Sequence, residues 1–261
     1  LINSITFGKG NGGSVKLNAS ETIRFDGENK NGEGGKIILT SESNATGDSG
    51  SLNIIANNIE FSAGAYINSS TYGQGTGGTV KLNANERVHF GGESKNGEAS
   101  MIQTTTSFTD ICAGDAGSIE IVADYINFTA GAWVNTSTYG SGTGGNIKLN
   151  ASENVHFDGE RKNGDATLIQ LSSNFTGAAG SLEISANSIQ FTNGASINSN
   201  TYGPSMGGTV RLDATETVLF DGERKNGEAS LIQIASYFTA TGNAGSLEII
   251  AKNIEFTAGA W

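Results

Sequence analysis

The stretch Gly145-Asn-Ile147-Lys-Leu149-Asn-Ala151-Ser-Glu-Asn-Val155-His-Phe157 decides the fold. Its apolar residues fall at every second position in two runs, Ile147-x-Leu149-x-Ala151 and Val155-x-Phe157, separated by a short polar corner. That period belongs to strands with one buried face, not to helices. The phrase occurs eight times in 261 residues, aligned on Ala19, Ala56, Ala84, Ala123, Ala151, Ala186, Ala214 and Ala251. Five or six residues after each alanine stands Phe25, Phe61, Phe90, Phe128, Phe157, Phe191, Phe220 or Phe256. A third apolar run carries Ile2, Ile37, Ile67, Ile102, Val134, Ile169, Ile197 and Ile232.

The alanine spacings are 37, 28, 39, 28, 35, 28 and 37, so long and short copies alternate and the true repeat is a pair. Measured from the third run, the pairs span residues 1–65, 66–132, 133–195 and 196–260, about 65 residues each. The length variation is confined to one segment per pair, the one between Ile37 and Leu52 and its counterparts, which therefore leaves the stack.

Identical inward residues at a fixed interval predict an all-β solenoid: a right-handed parallel β-helix of about eight three-strand coils in alternating long and short pairs. Stacked strands lie roughly 4.8 Å apart, so eight coils would make a column of roughly 38 Å. No coil can bury its apolar face alone; each is stabilised by its neighbours. The Phe ladder is the expected core. Glycines before the first strands, such as Gly77-Gly78, Gly144-Gly145 and Gly207-Gly208, are expected to turn corners at positive φ. A β-propeller with one large blade per repeat is the alternative, disfavoured by the pseudo-repeat that halves each period.

Acidic residues outnumber basic ones by 26 to 15, a net charge of −11, which repels nucleic acid and anionic membrane. No apolar run is long enough to span a bilayer, so membrane insertion is not expected. One cysteine, Cys112, cannot form an internal disulfide. The repeat runs in phase from the first residue to the last, so the expectation is an excerpt of a longer chain.

Phrases such as Ile59-Glu-Phe61-Ser-Ala-Gly-Ala65-Tyr-Ile67-Asn-Ser-Ser-Thr-Tyr-Gly73-Gln-Gly-Thr-Gly77-Gly78-Thr-Val80-Lys-Leu82-Asn-Ala84 resemble the repeats of filamentous-haemagglutinin-like proteins. The resemblance covers the whole chain. It implies a secreted β-helical fibre at the surface of a bacterium with an outer membrane, exported by two-partner secretion. The repeats of that family serve as shaft, so the match specifies architecture more than activity.

Candidate sites are few. The turn Gly73-x-Gly75-x-Gly77-Gly78 looks like a phosphate cradle, but a strand follows it where a helix amino terminus would be needed. The segments Asp-Gly-Glu-x-Lys-Asn-Gly at Asp26, Asp158 and Asp221, with Gly91 in place of Asp in the second copy, read as solvated corner loops with stacked charges. Their carboxylates recur only every second coil, roughly 9.6 Å apart, too far to share a proton or a metal. His89 and His156 are expected on the surface, and Asn3, Asn68, Asn135 and Asn198 in a structural role. Thr6, Thr71, Thr138 and Thr201 resemble an ice-binding array but recur only every second coil and stand beside Phe7 or Tyr, so an ice-binding face is not expected. Off the core, Tyr72, Tyr139 and Tyr202 form one aromatic ladder, with Phe7 at its head, and Phe108, Phe175 and Phe238 another in the variable segment. Both are candidate contact ladders for sugars or a neighbouring fibre; alternatively the variable segment folds back and its Phe plugs a flank of the chain itself.

The expected function is an extracellular structural or adhesive fibre shaft, not an enzyme, without cofactor or metal. Its partners would be its own axial and lateral neighbours and glycans of host or neighbouring cells. A self-assembling filament or sheath subunit joined end to end is one alternative. A carbohydrate-binding or carbohydrate-cleaving β-helix is the other.

Overall fold

The computed structural model describes residues 1–106, 114–237 and 240–260. It is all-β, with two parallel sheets whose strands stack in chain order, the arrangement of a solenoid. Parallel pairing within both sheets also disposes of the propeller, whose blades are antiparallel. The larger sheet contains Ser51–Phe61, Thr79–Phe90, Ser118–Thr129, Asn146–Asp158, Ser181–Thr192 and Thr209–Asp221, flanked by the shorter pairs Ser14–Asn18 with Thr22–Phe25 and Ser246–Ile250 with Asn253–Thr257. The smaller sheet has eight short strands: Ile2–Asn3, Lys36–Ile38, Tyr66–Asn68, Met101–Gln103, Trp133–Asn135, Leu168–Gln170, Ser196–Asn198 and Leu231–Gln233.

The register follows the sequence ladders. Ile147 pairs with Ile119 and Leu182, and Phe157 with Phe128 and Phe191. The third apolar run forms the short strands, Ile37 pairing with Ile67 and Val134 with Ile102. Inward residues of both sheets meet in one core, with Ile37, Ile67, Leu82, Val155 and Phe157 fully buried.

The eight phenylalanine rings form a single column. Neighbouring centroids are 4.9, 4.7, 5.2, 4.8, 5.0, 4.9 and 5.2 Å apart from Phe25 to Phe256, with interplanar angles of 11° or less. That spacing is the spacing of the strands themselves, so backbone pairing and ring stacking enforce the same step.

Two expectations are corrected. The first two strands of each coil are not separate: in the six central copies they run on as one strand of 11 to 13 residues through the supposed polar corner. What marks the corner is a register shift. Between Ala56 and Asn58 the pairing partner advances from Ala84 to Arg87, because the six-residue copies carry one residue more than the five-residue copies. Such an extra residue makes a β-bulge and bends the strand.

The paired glycines before the long strands are demanded by close approach, not by positive φ; Gly78, Gly145 and Gly208 are absent from the left-handed region. A Cβ on Gly208 would lie 2.5 Å from the Gly180 carbonyl oxygen, and Gly78, Gly117, Gly145, Gly180 and Gly245 face the glycine one layer back more tightly still. Positive φ occurs elsewhere, at Gly64 and Gly97 among others, and at Ala63, Ala130, Asn193 and Ala258.

The threonine ladder points inward. Thr71, Thr138 and Thr201 are fully buried and bridge Ser41, Ser173 and Ser236 in alternate layers. Thr138 Oγ1 donates to the Gly142 carbonyl at 2.5 Å and Thr201 Oγ1 to that of Ser205 at 2.9 Å, closing the glycine corner from inside. No ice-binding face is built from them.

Candidate functional site

The outward residue at the first position of successive short strands is Lys36, Tyr66, Met101, Trp133, Leu168 and Ser196, each in register with the next. A large side chain on that face would ordinarily be polar. Here four consecutive layers carry Tyr66, Met101, Trp133 and Leu168, all only half-buried.

One side of this face is walled by projecting loops. In every second layer the Asp-Gly-Glu-x-Lys-Asn-Gly segment forms a small hairpin, with antiparallel bridges Glu28–Gly34, Glu93–Ala99, Glu160–Ala166 and Glu223–Ala229. Gly97 and Gly164 make the reversal at φ 77° and 89°. The hairpins then lock to one another across a whole repeat. Lys162 Nζ lies 2.7 Å from Glu93 Oε1, and Lys225 Nζ 3.4 Å from Glu160 Oε1. Lys162 N–H also donates to Glu93, holding its carboxyl below the usual range, with the Lys162 ammonium contact as the larger cause.

Two arginines complete the wall. Arg161 donates to the Gly97 carbonyl at 2.8 Å and pairs with Asp165; Arg224 donates to the Gly164 carbonyl at 2.7 Å and pairs with Glu228. Gly131 and Gly194 make room, because a Cβ on either would collide with the Cγ of Arg161 or Arg224.

Between hairpin wall and strand face lies a groove of about 760 Å³, floored by Tyr66, Met101, Trp133 and Leu168 and edged by Arg161, Asp165, Gln170 and Asn198. The Tyr66 phenol accepts a hydrogen bond from Gln103 Nε2 at 2.8 Å, and burial pushes its pKa well above the ordinary value. The Trp133 indole N–H has no hydrogen-bond partner among the described residues.

Among the described residues, the aromatics singled out from the sequence (Phe7, Tyr72, Tyr139, Phe175 and Tyr202) do not line the groove. Asn68 Nδ2 donates to the Tyr72 hydroxyl at 3.0 Å and Asn135 Nδ2 to that of Tyr139 at 3.4 Å, so these rings fold back over their own short strands. Tyr202 stacks on Tyr237 at 4.7 Å, a residue the sequence ladder omitted in favour of its neighbour Phe238. Phe108 and Phe238 lie outside the described residues. Phe175, at 40% exposed, is not plugged into a flank, and Phe7 is 73% exposed.

The histidines are half-buried rather than on the open surface. His156 Nε2 is 2.8 Å from Thr192 Oγ1, which itself donates to Asp158 Oδ1 at 2.5 Å, so the ring serves as donor in a structural chain. In the second copy Gly91 stands at the aspartate position, and a Cβ there would meet Thr129 Oγ1 at 2.5 Å and His89 Nε2 at 2.6 Å, so those two side chains fill the space that Asp158 takes in its own copy. Burial lowers the pKa of both imidazoles. Among the described residues no group of three His, Cys, Asp or Glu side chains is placed to hold a metal.

The groove itself escaped the sequence. A signal was present: large apolar residues at the outward position of strands whose other outward positions are polar, as in Trp133-Val134-Asn135. Comparison with protein-family models, curated proteins and solved structures finds no match to this chain.

Proposed function

We propose that the chain is a stretch of an extracellular structural and adhesive fibre: a right-handed parallel β-helix of about eight coils in four paired repeats, of the filamentous-haemagglutinin-like kind. The observation that supports this most is the unbroken column of phenylalanines, stacked at 4.7 to 5.2 Å from Phe25 to Phe256 without a layer set aside for chemistry. A stack of interchangeable layers supplies length and stiffness, and the parallel order of both sheets supports one coil per short strand. The loops that lock across repeats add lateral contacts along the same direction. In this reading the chain spaces contact surfaces from a cell, and no bond is made or broken.

Antibody raised against the purified chain, applied to intact cells that produce it, tests the proposal. Electron microscopy should show label on fibres outside the cell. Label that appears only after lysis would refute it.

A further inference from the structure

The groove beside the short-strand sheet belongs to no part of a shaft's duty, and its floor is too apolar for an ordinary outer face. We infer that it binds a linear, uncharged oligosaccharide laid along the stacking direction. The inference stands on the groove alone, so its failure would leave the fibre reading untouched.

The floor argues first. Tyr66 and Trp133 occupy the same position two strands apart, with Met101 between them and Leu168 beyond. Two strand spacings are roughly 9.6 Å, the length of two linked pyranose rings. Sugar rings present flat C–H faces that pack on aromatic faces. A chain running along the stack would therefore place every second ring on an aromatic platform. The volume of about 760 Å³ falls within the roughly 300–1,000 Å³ of small-ligand sites.

The rim argues next. Gln170 and Asn198 offer both donors and acceptors, as sugar hydroxyls require. Its cations are already paired: Lys36 with Glu33 at 3.0 Å, Arg161 with Asp165 and Arg224 with Glu228. None is left to attract an anion, and the chain's net charge of −11 repels one. An extended peptide would gain no backbone pairing, because the groove lies on a sheet face rather than an edge. A hydrocarbon chain would leave the rim amides of Gln170 and Asn198 without partners.

The test is calorimetric titration of the chain with cellohexaose, mannohexaose and chitohexaose, and with oligogalacturonate as the acidic comparison. At least one neutral hexasaccharide should bind. Trp133→Ser should weaken it roughly tenfold or more. Serine is the choice because Ser196 occupies the equivalent outward position, so the stack already accommodates it. Circular dichroism monitors the fold. Should Trp133→Ser lose it, Ser196→Trp decides instead: a third aromatic at the same spacing should tighten binding. No binding of any neutral oligomer, preference for the acidic one, full affinity in a folded Trp133→Ser, or unchanged or weaker affinity in Ser196→Trp overturns the inference.

Discussion

Replacing Gly208 by alanine separates two explanations of the glycine ladder. If glycine is needed for an unusual backbone conformation, the effect should match that at any positive-φ glycine. If it is needed for closeness, the effect should be larger. An added methyl at Gly208 would lie 2.5 Å from the Gly180 carbonyl oxygen, 2.7 Å from Ser199 Oγ and 2.8 Å from Leu171 Cδ1. Ordinary C···O contact begins near about 3.3 Å, so the backbones must part by roughly 0.8 Å. The layer spacing cannot absorb that freely, because Thr209 N–H donates to the Gly180 carbonyl at 3.2 Å and Ser246 N–H to the Gly208 carbonyl at 3.1 Å. Overpacking costs about 1–3 kcal/mol, and two weakened hydrogen bonds add about 1 kcal/mol each. The sum is about 3–5 kcal/mol, or roughly 6–20 °C in melting temperature. The control is Gly97→Ala, at φ 77° with nothing within 4 Å of the added carbon. It should cost about 1–2 kcal/mol of left-handed strain only. Thermal melts followed by far-ultraviolet circular dichroism compare the two, and Gly97→Ala melting as low as Gly208→Ala would refute the closeness argument.

Phe157→Ala removes a fully buried ring stacked 4.8 Å from Phe128 and 5.0 Å from Phe191. It should cost about 3–5 kcal/mol, with hydrogen exchange rising first in those adjoining layers, because a stack transmits stability only between neighbours. Acid should weaken the fold through its histidines. Burial holds the folded pKa values of His89 and His156 below the ordinary 6.5, so their contribution is complete above that value and is lost as pH falls through it toward the folded values. Urea midpoints measured from about pH 7.5 to about pH 5 should drop across this window, and a His89→Leu/His156→Leu double variant should flatten the drop, leucine being the occupant at Leu219. Ala63, at φ 54°, holds a left-handed conformation that Asn193 adopts in the equivalent turn. Ala63→Asn should therefore raise stability by about 1 kcal/mol in the same urea titration.

The parallel stack was legible from the chain alone because its cause is local and repeated. Each copy carries the same inward residues at a two-residue period, so Ile147, Leu149 and Phe157 could be assigned to a core face, and their counterparts to ladders, by arithmetic. That arithmetic does not say what lies between the ladders. Whether Ala151 ends a strand or bends one depends on pairing with layers 28 and 35 residues away, and pairing carried the strand through. The direction of Thr138 was likewise open: its buried hydroxyl is fixed by the Gly142 carbonyl, which only the closed corner brings within reach.

The groove is the clearest case of what tertiary structure decided. Its wall is held by contacts between residues 60 to 69 apart, Arg161 with Gly97, Arg224 with Gly164 and Lys162 with Glu93. Its floor exists because Tyr66, Met101, Trp133 and Leu168 fall into register across four layers. Periodicity within a strand reports which face a side chain takes. Which side chains become neighbours on that face is set by the step from one layer to the next, and that step is a property of the stack.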